Sequence, residues 1–341
     1  MKLYAVTIKP LSPFGTPLKG DTLFGIFCWQ AAEDPSLLQG GLDHWIARYK
    51  EKPFAVFSSA WPQLKTGGWA IRRPELPMSW LQGKDGGKSC KEKLNERKQN
   101  KARKWLTINE RLEVNLSWEK MVNDRDLTVL LKTGLQQENP LDSDDSRKLC
   151  MSVEQQHNSI NRETNTTGKG FFAPYSMPMY CFLPGVKLTM FVLLDEEALT
   201  AEQLRTGMER IGSWGFGRDA STGLGRFSVE DVSEQAILRR TDADSCLTLG
   251  PCVPGADEFA NVWFSPFTRF GRHGAHLLHT GKPFKNPVVM ADEGAVFRPR
   301  KEAQFQRPYL GTAVTGISKA LASAVCQGYT IYLPMKLPVE E

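Results

Sequence analysis

The chain has 341 residues, 41% hydrophobic and 24% charged, with a net charge of +5; it has room for two domains and permits, without demanding, a polyanionic partner. Seven cysteines at 28, 90, 150, 181, 246, 252 and 326 form no C-x-x-C pair, which argues against a zinc site or a disulfide framework and for reduced thiols. No apolar run approaches the ~20 residues of a membrane span, and Met1 to Lys9 reads as a strand rather than a signal peptide, so a soluble, cytoplasmic protein is expected.

In chain order, Tyr4, Val6 and Ile8 share one face of a first strand, with Leu3 and Ala5 on the other, and Pro10 and Pro13 end it. Leu18 to Gln30 predicts a helix capped by Asp21, with Leu23, Phe24, Phe27, Cys28 and Ala31 on a wide buried face. Phe54 to Phe57 predicts a second strand and Val186 to Leu194 a third. Thr200 caps a second helix with Gln203 three residues on, a capping-box pattern, and Leu204, Met208 and Ile211 share a face. Arg226 to Val232 then alternates as a fourth strand. Strand, helix, strand, excursion, strand, helix, strand is the order of a ferredoxin-like α+β fold over residues 1–240.

The excursion, roughly 61–184, is too long for a plain loop. It opens with a basic run, Lys84 to Lys104, helical towards its end, and closes with an Asn/Ser/Thr/Gly-rich segment from Ser152 to Tyr180. After Arg240, candidate strands at Trp263–Phe270, Val288–Met290, Ala295–Arg298 and Tyr329–Lys336, with a short helix or turn over Thr315–Ala324, suggest a second and degenerate ferredoxin-like unit over 241–341.

Three clusters carry binding chemistry. Between the second helix and the fourth strand lies G-F-G-R-D-A-S-T-G-L-G-R-F, Gly215 to Phe227. Gly215, Gly217, Gly223 and Gly225 let a backbone turn its N–H groups onto an anion, and Arg218, Ser221, Thr222 and Arg226 add donors. The loop runs from helix to strand, unlike the strand-to-helix nucleotide loops. The plainer reading is a tight turn that only needs positive φ. The second cluster is H-N-S-I-N-R-E-T-N-T-T-G-K-G, where His157, Asn158, Ser159, Asn161, Arg162, Thr164, Thr166 and Lys169 form a strip suited to sugar and base edges. The third is Lys19 at the start of the first helix, where phosphate is attracted. For catalysis the chain is thin. His44 is the least poor candidate for a general base, and His273, His276 and His279 match no zinc spacing; no metal or cofactor is expected.

The glycine loop in that fold position, together with L-K-G-D-T-L-F-G-I-F-C-W at Leu18 to Trp29 and the His157 to Gly168 motif, resembles the RAMP superfamily of CRISPR-associated RNA-binding proteins. Within it the chain resembles the fourth subunit of the type III-A Csm effector. The middle motif departs from the family's usual T-G-T at Thr164, Asn165 and Thr166, and other type III subtypes share the glycine loop. The resemblance implies a tandem RAMP fold and a non-catalytic subunit that binds the repeat-derived 5′ tag of a crRNA. It also implies contacts with the large polymerase-like subunit and a backbone RAMP subunit, with target RNA nearby. The 215–226 loop would hold tag phosphates, and 157–169 would lie on a thumb-like hairpin. A crRNA-processing endoribonuclease on the same fold and a protein-only scaffold are the alternatives.

Overall fold

A computed structural model describes residues 1–81, 89–132, 148–237, 240–255, 257–274, 277 and 281–338. In chain order, β1 (Lys2–Pro10) leads through α1 (Gly20–Glu33) and α2 (Leu42–Arg48) to β2 (Ala55–Pro62). The insertion holds β3 (Trp69–Arg72), α3 (Met78–Leu81), α4 (Cys90–Ala102), β4 (Arg103–Ile108), β5 (Met121–Asn123), α5 (Asp124–Lys132), β6 (Cys150–His157) and β7 (Tyr175–Phe182). Then β8 (Leu188–Leu194), α6 (Ala201–Trp214) and β9 (Phe227–Gln235) return to the first sheet. The remainder is β10 (Ser245–Thr248), β11 (Phe259–Trp263), β12 (Pro266–Arg269), β13 (Val288–Ala291), β14 (Val296–Pro299), β15 (Tyr309–Gly311) and β16 (Tyr329–Met335).

The first sheet is antiparallel in the order β2-β8-β1-β9. Among its own strands that is second, third, first, fourth, the interleaved order of a ferredoxin-like unit. Both faces of β1 are buried, which is why its sequence is apolar on both sides of the alternation. Phe57 of β2 meets Phe27 of α1 with ring centroids 5.6 Å apart. On the opposite face Phe191 of β8 packs edge-on against Trp69 of the insertion at 5.0 Å. The helices therefore cover one face, and the three-stranded sheet β3-β4-β5 covers part of the other. The capping box at α6 forms as expected: Gln203 N–H donates to Thr200 Oγ1 at 3.2 Å and Thr200 N–H to Gln203 Oε1 at 2.9 Å.

Of the basic run, Lys84 to Lys88 lies outside the described residues; the rest enters the exposed helix α4 and then β4. The C-terminal part is a five-stranded antiparallel sheet, β11-β14-β10-β16-β15, with no α-helix among its described residues. The strand expected over Trp263–Phe270 splits in two, because β11 pairs with β14 while β12 leaves to pair with β13. Residues 315–324 form irregular turns.

One apolar core runs from β1, β2 and β8 into Leu247, Ile331 and Leu333 of this second sheet and Leu249 just after β10. The Gln327 amide donates to Phe57 O at 2.7 Å and accepts from Phe57 N–H at 2.9 Å, completing the backbone bonds of β2 from the other unit. Asp21, expected to cap α1, does something else. Lys19 is the N-cap residue, without a side-chain cap bond. Asp21 has a side chain only 2% exposed and takes a bidentate ion pair from Arg269 at 2.5 and 2.9 Å. The helix start therefore latches the ribbon β12–β13 onto the first unit.

Removing one partner of a buried ion pair strands the other charge, at a cost of about 3–5 kcal/mol. Arg269→Ala should lower the denaturation midpoint in urea markedly, and Asp21→Asn combined with Arg269→Met should recover much of it. Equal midpoints for wild type and Arg269→Ala would contradict the latch.

Candidate functional site

The glycine loop closes on itself first. Gly215 ends α6 in the positive-φ region (106°), and its N–H donates to Ile211 O at 2.8 Å. Phe216 N–H donates to Gly225 O at 2.9 Å, and Gly225 N–H donates across to Pro13 O at 2.7 Å. Between them Asp219, at φ 61°, opens a short 3₁₀ turn, and its carbonyl accepts from Thr222 Oγ1 at 2.9 Å and Leu224 N–H at 3.2 Å. Three of the loop's glycines, Gly215, Gly217 and Gly225, are required for space as well as for φ. A Cβ at Gly217 would lie 2.5 Å from Thr16 Oγ1, and one at Gly225 would lie 2.5 Å from Phe216 N.

The loop then rests on the β1–α1 connection. Arg226 N–H donates to Ser12 Oγ and Arg218 N–H to Thr16 Oγ1, each at 2.9 Å. Phe14, fully buried, packs against Phe216 at 6.3 Å and edge-on against Phe182 of β7 at 5.5 Å. Its backbone also pairs with Tyr180 of β7 in both directions, at 2.9 and 2.8 Å. The Arg218 guanidinium donates to the Pro178 carbonyl of β7 and to Asp219 Oδ2. Arg218, expected to grip an anion, is thus committed to tying the loop to the hairpin.

What the loop offers outward is narrower than the expected cradle. The N–H groups of Gly215, Phe216, Arg218, Thr222, Gly223, Leu224, Gly225 and Arg226 all have protein acceptors. Those of Gly217, Asp219, Ala220 and Ser221 have none among the described residues. Ser221, Thr222 and the Arg226 side chain are exposed, and Arg226 has no acidic partner among the described residues. An anion would meet one corner of the loop, about Asp219 to Thr222, and the exposed Arg226 is the loop's one arginine whose side chain is not tied to protein among the described residues.

The second cluster occupies a projecting hairpin. β6 and β7 pair from Cys150↔Phe182 to His157↔Tyr175. His157 stacks on Tyr175, with centroids 5.2 Å apart and planes 9° from parallel. Beyond it the tip is closed by Asn161 N–H donating to Thr166 O at 3.0 Å, Glu163 N–H donating to Asn161 Oδ1 at 2.9 Å, and a hydroxyl contact of 3.0 Å between Thr164 and Thr166. Asn161 and Thr164 are therefore partly used in shaping the tip. Asn158, Ser159, Arg162 and Lys169 are partly or fully open to solvent. The glycine loop touches β7 at Pro178, whose partner is Glu154, so His157 stands three residues further out, roughly 10 Å.

Lys19 does not join these clusters. Its side chain is 18% exposed, and its ammonium is bonded to Asp292 and, at 3.0 Å, to Glu293, 4.5 Å above the Phe267 ring. Burial pushes the Glu293 carboxyl up, while Ser59 Oγ donates to it at 2.7 Å. Burial also acts to raise Asp292, but its hydrogen bond with Glu293 and the Lys19 charge outweigh that and hold it below the usual range. Lys19 joins the two units, because two carboxylates from Asp292–Glu293 arrive where a phosphate was expected.

His44 lies on α2, with its ring edge-on to Trp45 at 5.2 Å and Arg48 at 3.4 Å. His273 is buried against Ser318 at 2.7 Å; His276 and His279 lie outside the described residues. Sequence reasoning missed a cavity of about 260 Å³ at the hairpin base, lined by Thr16, Lys19, Trp61, Arg72, Trp105 and Tyr180 among others. Its walls come from segments far apart in the chain, so no local sequence pattern signals it.

No protein-family model matches the chain, and no curated protein matches it. Solved structures do. A chain of the Csm1–Csm4 cassette in complex with cA4 superposes with a TM-score of 0.59 at 14% identity, covering 100% of both chains. One of the same cassette with AMPPNP gives 0.58 at 15%, again with 100% of each covered. A chain of the Csm3–Csm4 subcomplex of the type III-A CRISPR-Cas interference complex gives 0.58 at 14%, covering 98% of this chain and 100% of that one. The chain shares the fold of the matched chains of these assemblies. Csm4 is the subunit that the cassette and the subcomplex share. The resemblance read from the glycine loop and its flanking motifs therefore agrees with the fold.

Gly225 and Gly223 separate two requirements of this loop. Gly223 has φ 98° but open space around a Cβ, whereas Gly225 has φ 74° and no space. Gly223→Ala should cost about 1–3 kcal/mol from backbone strain alone. Gly225→Ala should cost clearly more and lower the thermal midpoint further; the reverse order would contradict the loop packing.

Proposed function

We propose that this chain is the non-catalytic, crRNA-binding Csm4-like subunit of a type III-A effector, gripping the repeat-derived 5′ tag between the glycine loop and the hairpin. One observation carries the reading. Phe14 and Arg218 fix an open corner of the loop, with Ser221, Thr222 and Arg226, against a hairpin bearing the His157–Tyr175 stack and the polar tip beyond it. A phosphate at the corner and bases along the hairpin would divide the work in the usual way, the first giving affinity and the second selectivity. The described neighbours are chains from Csm1–Csm4 and Csm3–Csm4 assemblies, which supports docking to a large polymerase-like subunit and to a backbone RAMP subunit. Target RNA would then pass close to the hairpin.

Arg226→Ala should weaken binding of a single-stranded RNA carrying the tag and reduce the log–log salt slope by about 0.7, one phosphate contact. Arg218→Ala should instead weaken binding with little change in slope and increase proteolysis of the hairpin, since its donors lie on Pro178 and Asp219. An unchanged slope for Arg226→Ala would remove the loop from the RNA site. Cleavage of repeat RNA without metal, lost in His44→Ala, would replace the proposal with a processing nuclease.

A further inference from the structure

The ribbon β12–β13 forms its own two-stranded sheet, apart from the five-stranded one. Beyond Arg269 it continues through the bridge Arg272↔Phe284, with Lys285 N–H donating to Gly271 O at 2.8 Å and His273 N–H to Pro283 O at 2.9 Å. Strand alternation sorts its side chains into two sets. Phe267, Arg269, His273, Val288 and Met290 point inward, where Phe267 lies under Lys19 and Arg269 holds Asp21. Thr268, Phe270, Arg272, Phe284 and Val289 point outward, with Phe270 76% and Phe284 66% exposed.

The outward set pairs large open aromatic rings with unopposed cations. The Arg272 guanidinium lies 5.5 Å from the centre of the Phe284 ring, and neither Arg272 nor Lys282 meets an acid among the described residues. Between Glu258 and Asp292 the chain contains Arg269, Arg272, Lys282 and Lys285 and no carboxylate at all. An apolar docking face for a protein has no need of that exclusion, whereas a polyanion with flat bases does. The Arg269–Asp21 ion pair anchors the inner side of the ribbon to the first unit, which leaves the outer side facing away from it.

We propose that the outer face of this ribbon is a second single-stranded RNA platform, separate from the glycine loop. Bases stack on Phe270 and Phe284, which stand two residues apart along the ribbon, roughly 7 Å. Arg272 and Lys282 neutralise the phosphates beside them.

The test uses the full chain and a fluorescently labelled oligouridylate, read by anisotropy. Phe270→Ala and Phe284→Ala should each weaken binding about fivefold to a hundredfold. Phe→Tyr should keep the affinity, because the ring survives, and Phe→Leu should lose it although apolar area survives. Arg272→Ala and Lys282→Ala should each lower the salt slope by about 0.7. Photocrosslinks to this ribbon should persist in Arg226→Ala, which separates this site from the glycine loop whether or not that loop binds RNA. Unchanged affinity in the Phe270→Ala/Phe284→Ala double variant overturns the proposal, as does full binding by the Leu variants. Loss of co-purifying protein subunits with RNA affinity intact also overturns it and assigns the face to a protein.

Discussion

The burial of Phe14 between the glycine loop and the hairpin is the contact on which the candidate site depends. Its ring touches Phe216 and Phe182, and its backbone pairs with Tyr180 in both directions. Without it, the loop and the hairpin would be joined mainly by the Arg218 guanidinium on the Pro178 carbonyl. With it, the Asp219–Thr222 corner and the His157–Tyr175 stack are held at one spacing. A polymer that alternates phosphates and bases needs that, because a loose pair of sites would have to be ordered anew on each binding event.

The same economy of charged groups joins the two units. Asp21 and Lys19, both at the start of α1, are paired with Arg269 and with Asp292–Glu293 of the second unit. Charges at a helix start are usually read as caps or anion sites. Here the helix start is covered by protein, and isolated charges there would be costly, so each is matched by an opposite charge brought from about 250 residues away along the chain. The β12–β13 ribbon is fixed as a consequence. Its inner face holds the Arg269–Asp21 pair, and its outer face carries exposed aromatics and cations that meet no acid among the described residues.

The sequence made the first unit legible because each of its elements announces itself locally. The capping box at Thr200–Gln203, the apolar face of α1 and the run Leu188–Leu194 all have short-range signatures, and their order gives the interleaved sheet directly. The insertion was legible only as an insertion. Its strands β3, β4 and β5 are three to six residues long, too short for a clear alternation. The second unit fails in another way. Its strands change sheets at Pro266, and nothing local in Trp263–Phe270 distinguishes one partner from two.

By itself the sequence determined the ferredoxin-like order, the helix-to-strand placement of the glycine loop and the polar strip from His157 to Lys169. It did so because these rest on periodicity, capping and the conformational freedom of glycine, which act over a few residues. Only the tertiary structure decided which donors remain open. Arg218 and Arg226 are chemically equal in the sequence, yet one ties the loop to Pro178 and the other faces solvent. Lys19 and Asp21 likewise look like helix-terminus groups until Asp292–Glu293 and Arg269 arrive. Whether a charge is free or paired depends on partners brought together by the fold, and sequence distance carries no trace of that encounter.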